Sequence, residues 1–260
     1  NNNKLTYYDN LINKILIAIN LINNLFYNYN CNSKSLTITI YLIKINKQFS
    51  LTENNTNSGY TYPCVLNGTI TIFREEECLK VIIHELIHSF GYDKNYHFNK
   101  KINELLRENF NLNEKFNKNN SNIYFSESLV EFWAEYINIS IFSHLMSNNY
   151  ESFNKLVEQL MLLEKINSIN NGNNILSNNK LDYVKIVNFD NNINHYRESS
   201  NIFSYYILKS YCIYDYKKIV FLHSLRDKII INNQNIKKII NLIIKISQSE
   251  NFIKFSKIIN

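Results

Sequence analysis

The spacing of apolar residues constrains the fold of this 260-residue chain more than any other feature. Residues 35–45 alternate between apolar and polar, and residues 60–66 and 69–73 are also strand-like, with a polar loop at 53–59 before them. In most other segments apolar residues recur every three or four positions, which is typical of helices. We therefore expect an α+β fold, with a small sheet early in the chain and a mostly helical remainder.

The predicted sheet contains three strand-like segments. Residues 35–45 alternate, with Leu36 and Ile38 on one face. Two further segments, Tyr60–Leu66 and Thr69–Phe73, flank Asn67-Gly68, a pair suited to the positive-φ positions of a type I′ turn. These two strands are predicted to form an antiparallel hairpin, and Pro63 to place the first at an edge. The sequence thus predicts a small antiparallel sheet.

Helices are predicted wherever the helical spacing persists. Glu75–Glu77 favours a helix N-terminus, and Gly91 favours a left-handed C-terminal cap. Asparagine-rich loops are predicted near 111–122 and 170–195. The predicted helices cover residues 5–26, 75–90, 98–109, 125–146, 152–168, 201–213, 216–229 and 234–258.

Composition excludes several classes of protein. Hydrophobic residues make up 45% of the chain, which excludes wholesale disorder. No apolar stretch approaches the ~20 residues of a membrane-spanning helix, so none is expected. The net charge is +6, but the lysines are scattered rather than gathered in a stripe, so no nucleic-acid partner is expected. The many Asn, Ile, Lys and Tyr residues indicate an AT-rich genome, such as that of a large DNA virus or a protist.

Four cysteines are present without a CxxC pair. We expect reduced, mostly buried thiols, or at most one or two bridges. They are Cys31, Cys64, Cys78 and Cys212.

The segment His84-Glu85-Leu86-Ile87-His88 lies in the helix predicted at 75–90. Histidines four residues apart project from one helix face and can chelate one metal ion. Zinc accepts imidazole nitrogens and has room in its tetrahedral shell for another protein ligand and water. Glu85 is rotated around the helix, so it can take a proton from water without binding the metal. The helical context, the preceding hairpin and the apolar Leu86 and Ile87 disfavour a helix with two merely structural histidines.

A third ligand is required. The pattern HExxHxxGxxH would place it at Lys94, which cannot serve, while Asp93 falls one residue short and His97 three residues beyond. A glutamate from a second helix is the other arrangement. Three glutamates lie four residues apart on an otherwise apolar predicted helix. Burying their carboxylates is costly unless a cation or hydrogen-bond donors compensate for the lost contact with water. They are Glu127, Glu131 and Glu135.

The combination resembles the gluzincin metallopeptidases, the group that includes thermolysin and neprilysin, over roughly residues 68–137. The resemblance implies a zincin-like fold, Zn²⁺ as cofactor and a peptide or protein substrate. It implies that His84, His88 and Glu127 bind the metal. Glu85 is then the general base, and Glu131 is the acid that orients a ligating histidine.

One assignment stays open, because Glu131-Phe132-Trp133-Ala134-Glu135 also satisfies the pattern. That alternative makes Glu131 the ligand and Glu135 the orienting acid. Gluzincins also carry a downstream Tyr or His that donates to the oxyanion. The candidates here are His195, Tyr196, Tyr205 and Tyr206, whereas His144 and His223 are predicted to be packing or surface residues.

The sequence thus predicts one zincin-like domain over residues 1–260, with an N-terminal helix at 1–30, a catalytic core at 35–150 and a helical lobe at 151–260. The predicted function is zinc-dependent hydrolysis of peptide bonds. One alternative is a virion-associated or structural protein that retains the fold without turnover. Another is a DNA- or membrane-surface binding module that uses the positive charge. An intracellular or virion-associated location is expected, with secretion left open because residue 1 is not methionine.

Overall fold

The computed structural model describes residues 2–26, 31, 35–44, 58–93, 100–110, 112, 123–187, 196, 198, 201–225, 228–229 and 232–259. The protein is α+β, as predicted. Its strands are β1 (Ser35–Ile40), β2 (Gly59–Thr61), β3 (Asn67–Ile72), β4 (Ser224–Leu225) and β5 (Lys228–Ile229). Its α-helices are α1 (Asn2–Leu25), α2 (Cys78–Ser89), α3 (Lys100–Asn109), α4 (Phe125–Met146), α5 (Tyr150–Asn178), α6 (Lys209–Tyr214), α7 (Tyr216–His223), α8 (Asn233–Ser247) and α9 (Glu250–Ile259). A π-helix, Phe203–Leu208, leads directly into α6.

The main sheet has the strand order β1-β3-β2 and is mixed. Strand β2 pairs antiparallel with β3 and lies at an edge, as predicted. Strand β1 pairs parallel with β3, so the prediction of an antiparallel sheet was wrong. Alternation predicts which face of a strand is buried, and it carries no information on the direction of its neighbour.

The turn predicted at Asn67-Gly68 was also wrong. Both residues belong to β3, opposite Ser35 and Leu36 of β1. The chain reverses earlier, at Pro63 and Cys64, where Cys64 has φ 59°. Proline followed by a positive-φ residue suits a type II turn, which here displaces the type I′ turn favoured by Asn-Gly.

A disulfide joins Cys31 to Cys64. The two cysteines precede β1 and β3. Because these strands are parallel and begin at the same end of the sheet, the bridge ties their starting points together. Cys78 and Cys212 are free and buried. One bridge and two buried thiols lie within the range predicted from the sequence.

Replacing both Cys31 and Cys64 by alanine is expected to lower the free energy of unfolding by about 3–4 kcal/mol. The bridge closes a 33-residue separation, and loop-closure entropy in the unfolded chain gives a loss of this size. Urea unfolding, monitored by the fluorescence of the single tryptophan, Trp133, measures the change in the free energy of unfolding. A reducing agent should shift the wild-type midpoint in the same direction and leave the variant unchanged. An equal shift in both proteins would contradict the prediction.

Most predicted helices are present, with differences at their ends. Those predicted at 5–26, 98–109 and 125–146 are confirmed to within a few residues by α1, α3 and α4. The helix predicted at 75–90 begins at Cys78 instead, because Glu77 has φ 55° and stands outside the helical geometry. The segment predicted at 201–213 is helical, and its first part is the π-helix.

Three differences occur in the C-terminal half. Helix α5 continues ten residues beyond the predicted 168, because buried Ile169 and Leu176 fix an asparagine-rich segment that local propensity would leave as a loop. The helix predicted at 216–229 ends at His223 and is followed by the short strands β4 and β5, which were not predicted. The helix predicted at 234–258 is divided, because the Ser249 hydroxyl accepts a hydrogen bond from the N–H of Phe252 and caps α9.

The buried apolar residues form one hydrophobic core, which extends from α1 to α9. Helix α2 lies at its centre, in contact with β2 and β3 on one side and with α1 and α4 on others. Ten of the twelve residues of α2 are buried, so any polar side chain on it must find a partner inside the protein. None of the helices in the described residues is both long and apolar enough to span a membrane.

Candidate metal centre

Helix α2 places both histidines on the face that meets α4. Helix α2 ends at Ser89, and Gly91, with φ 70°, forms the left-handed cap that was predicted. The N–H groups of Gly91 and Tyr92 donate to the carbonyls of His88 and Ile87, which is the Schellman pattern. This cap reverses the chain, so that Asp93 returns to the side chain of His88.

Three potential donor atoms converge between α2 and α4. The Nε2 atoms of His84 and His88 are 3.0 Å apart. The Oε2 atom of Glu127 lies 3.6 Å from Nε2 of His84 and 3.3 Å from Nε2 of His88. A tetrahedral zinc ion with bonds of ~2.0–2.1 Å separates its ligand atoms by about 3.3 Å. The triangle therefore has the size of a zinc site.

The other nitrogen of each histidine faces a carboxylate. Nδ1 of His88 is 2.8 Å from Oδ2 of Asp93 and is hydrogen-bonded to it. Nδ1 of His84 is 3.2 Å from Oε1 of Glu131, an ion-pair contact whose geometry falls short of a hydrogen bond. An acceptor at Nδ1 keeps a proton on that nitrogen, so that Nε2 has a free lone pair once the ring is neutral. In that state both Nε2 lone pairs would point into the triangle, where a metal ion can bind them.

The residues fit a bound metal ion. Oε2 of Glu127 is fully buried and makes no hydrogen bond of acceptable geometry among the described residues. A buried anionic oxygen without such a bond is costly, and a metal ion would remove that cost. Two imidazoles and one carboxylate are also the donor set of a catalytic zinc site, which keeps a position for substrate or water.

The electrostatics also indicate a place for a cation. Burial works to raise the pKa of Glu127, but the charges of His88 and His84 outweigh it and the pKa is lowered. Burial works to lower the pKa of His88, but Glu127 and Asp93 raise it well above its usual value. Without metal a proton on His88 balances the carboxylates, so that metal binding is expected to release it.

Glu85 lies beside the triangle and lines an open cavity of about 190 Å³. Burial raises its pKa, and His84 and His88 offset part of this effect. A carboxylate in such surroundings is a better proton acceptor than one in water. Strand β2 forms the opposite wall of the cavity. Gly59 lets β2 lie close to β3 and to α2, because a Cβ at this position would lie 2.8 Å from Cδ1 of Ile72 and 3.0 Å from Cγ1 of Val81.

The candidate oxyanion donors differ in their position relative to this cavity. Tyr205 lines the cavity, its ring centroid 6.2 Å from that of His84. Burial, followed by the charge of Glu127, raises the pKa of Tyr205 well above its usual value, so its hydroxyl stays a donor. Tyr206 is not among the residues that line this cavity; it lines a neighbouring one of about 170 Å³, together with Tyr205 and Lys209. Tyr196 is buried and donates to Glu198, while His195 lies outside the described residues.

The geometry also separates the two ligand assignments. Glu127 approaches both Nε2 atoms, whereas Glu131 approaches His84 from its Nδ1 side. Glu135 lies 3.6 Å from Nζ of Lys209, so its ion-pair partner is a lysine rather than a histidine. Glu127 as ligand and Glu131 as the orienting acid is the assignment that these distances favour.

Sequence reasoning missed two residues of the centre. Asp93 was considered only as a metal ligand, yet it contacts the far nitrogen of His88. Lys80 was not considered, and its Nζ lies 2.8 Å from Oε2 of Glu131. Lys80 precedes His84 by one helical turn on a largely buried helix, and a charged residue at such a position was the available signal.

Comparisons with protein-family models, with curated proteins and with solved structures find no significant match to this chain. The resemblance to gluzincins therefore rests on the sequence motifs alone. A metal site is defined by its donor atoms and their partners, which can be described without reference to a family.

Of the two histidines predicted to be packing or surface residues, His144 is exposed and His223 is buried. Nε1 of Trp133 donates to Nδ1 of His223 at 3.0 Å. Because Nδ1 accepts, the proton of the neutral ring lies on Nε2. Burial lowers the pKa of His223 to about 3, so the ring is neutral in the folded protein near pH 7.

His223 should make the protein less stable in acid. In the unfolded chain its pKa is about 6.5, so the unfolded state binds a proton that the folded state excludes as the pH falls from 6.5 towards 3. The wild type should lose on the order of 4 kcal/mol over this range relative to His223→Leu. Both proteins are compared without metal, by urea unfolding at several pH values. Parallel stability curves would contradict the assignment.

Proposed function

We propose that this protein is a zinc-dependent metallopeptidase with a zincin-like fold. One observation carries the proposal: the donor atoms of His84, His88 and Glu127 form a zinc-sized triangle beside Glu85 and an open cavity. Metal sites that only stabilise a fold are usually closed by four protein ligands. Three ligands and a neighbouring carboxylate fit a hydrolytic site better.

The proposed roles follow from position. Zinc held by His84, His88 and Glu127 would supply a Lewis acid for the carbonyl and for the attacking water. Glu85 accepts the proton of that water and delivers it to the amine that leaves. Tyr205 donates its hydroxyl hydrogen bond to the carbonyl oxygen as negative charge develops there. Asp93 and Glu131 keep the two imidazole rings in place.

A peptide is the substrate class that the cavity walls favour. The described part of β2 is an edge strand, and its residues Gly59, Tyr60 and Thr61 line the cavity. An edge strand presents backbone N–H and C=O groups that an extended peptide can pair with. Such pairing would place a backbone carbonyl of the peptide next to the metal centre and Glu85.

A peptide-library assay tests the proposal. The purified protein is incubated with a mixture of unmodified peptides, and products are identified by mass spectrometry. We expect new termini that disappear after treatment with a zinc chelator and return when zinc is added. Cleavage that persists without metal would contradict the proposal. A stoichiometric metal ion with no cleavage would support the alternative of a structural or virion-associated protein without turnover.

A further inference from the structure

We propose that Lys80 is a positioning residue of the metal centre, whose ammonium group holds Glu131 in the orientation that fixes the ring of His84. The inference rests on the metal site of the proposed function. It extends that site by one helical turn towards the start of α2. No chemical step is assigned to Lys80, which acts through Glu131.

The two oxygens of Glu131 have different partners. Oε2 lies 2.8 Å from Nζ of Lys80, and Oε1 lies 3.2 Å from Nδ1 of His84. Lys80 and His84 are four residues apart on α2, so both face the same point on α4. The carboxylate therefore bridges two consecutive turns of α2. Each of its oxygens thus has a charged or polar partner on α2, and the shorter contact is the one to Lys80.

The burial of this contact requires an explanation. The side chain of Lys80 is 6% exposed and that of Glu131 is 12% exposed. Buried ion pairs contribute little net stability, because the cost of removing both charges from water offsets their attraction. An apolar side chain would serve packing as well or better. What the pair can contribute is a fixed orientation of the carboxylate.

A second lysine provides the matched comparison. Lys209 is 11% exposed, and its Nζ lies 2.8 Å from Glu164 and 3.6 Å from Glu135. Lys80 similarly lies 2.8 Å from Glu131 and 3.7 Å from Glu77. The two lysines thus agree closely in burial and in pairing distances. They differ in that Glu77 is 43% exposed and Glu135 12% exposed, and in that the charge of Lys209 also helps to lower the pKa of Glu131 without contacting it. The carboxylate nearest Lys80 contacts a histidine of the centre, whereas the carboxylate nearest Lys209 is bonded to Ser168 and Asn167.

Removal of Lys80 should therefore weaken metal binding specifically. In Lys80→Met, Glu131 retains its contact with His84 but loses the ammonium group that holds its other oxygen. The carboxylate can then rotate, and the ring of His84 loses its fixed acceptor. Loss of such an orienting partner lowers metal affinity by about 10- to 100-fold in known sites.

The test compares Lys80→Met with Lys209→Met in the 260-residue chain. Zinc affinity is measured by competition with a chromophoric chelator, and the geometry of the site by the visible spectrum of the Co²⁺-substituted protein. We expect Lys80→Met to bind zinc about 10- to 100-fold more weakly and to show a changed cobalt spectrum. Lys209→Met should retain the wild-type spectrum and an affinity within a few-fold.

The outcomes separate this inference from the proposed function. A wild-type protein that binds no zinc would overturn both. A wild-type protein that binds zinc, with unchanged affinity and cobalt spectrum in Lys80→Met, would overturn the role of Lys80 alone.

A double variant keeps the test decisive if Lys80→Met does not fold. Lys80→Met combined with Glu131→Gln removes both charges of the pair. Its zinc affinity should equal that of Glu131→Gln alone, because Lys80 acts through Glu131. A substantially lower affinity in the double variant would contradict the inference.

Discussion

Replacing Glu85 by glutamine is expected to lower the rate of peptide cleavage by about 10²- to 10⁴-fold while zinc stays bound. The amide has nearly the same shape as the carboxylate and cannot accept the proton. Glu85 lines the cavity beside the triangle and lies outside the group of three donor atoms. Cleavage rate and zinc content should therefore respond differently. Both are measured on the same preparation.

A surface glutamate provides the control for this change. Glu104 on α3 is exposed and pairs with Lys100, and Glu104→Gln should retain both zinc and cleavage. If Glu85→Gln cleaves at the wild-type rate, another residue is the base. If Glu85→Gln loses zinc instead, Glu85 is a ligand and the proposed division of roles is wrong.

Replacing Glu127 by glutamine should lower zinc affinity by roughly 10²- to 10³-fold. Structural zinc sites bind with about 10–16 kcal/mol through four protein ligands, which assigns about 2.5–4 kcal/mol to each ligand. Oε2 of Glu127 is the carboxylate oxygen that faces both Nε2 atoms. Competition with chelators of graded strength measures the loss.

The other two glutamates of α4 provide matched controls. Glu131→Gln should weaken binding by about 10- to 100-fold, because it orients His84 without binding the metal. Glu135→Gln should change zinc affinity little, because its partner is Lys209. A larger loss for Glu131 than for Glu127 would instead support the alternative in which Glu131 is the ligand.

The sequence contained the components of the centre but not their arrangement. Spacing of four residues placed His84 and His88 on one face of a helix, and the structure has them there. The same spacing placed Glu127 and Glu131 on one face of α4, so that spacing alone could not choose between them. The choice depends on where α4 crosses α2, which is a property of tertiary packing.

Other parts of the site had no local signal. Tyr205 lies in a π-helix, whose backbone hydrogen bonds join residues five apart instead of four as in an α-helix. The spacing of apolar residues over a six-residue segment cannot distinguish the two. Pairing of β1 with β3 joins segments about 30 residues apart, and the alternation within either strand carries no information on its direction. Asp93 depends on the reversal at Gly91, which was predicted, although its contact with His88 was not.

The metal content of the purified protein is the most direct test of the proposed zinc centre. The protein is supplied with zinc and freed of excess metal by gel filtration. Bound metal is then measured by mass spectrometry for the wild type and for His84→Ala. We expect one zinc ion per chain in the wild type and a loss of stoichiometric zinc in the variant. A wild type without stoichiometric zinc, or a His84→Ala variant that retains it, would contradict the proposed centre.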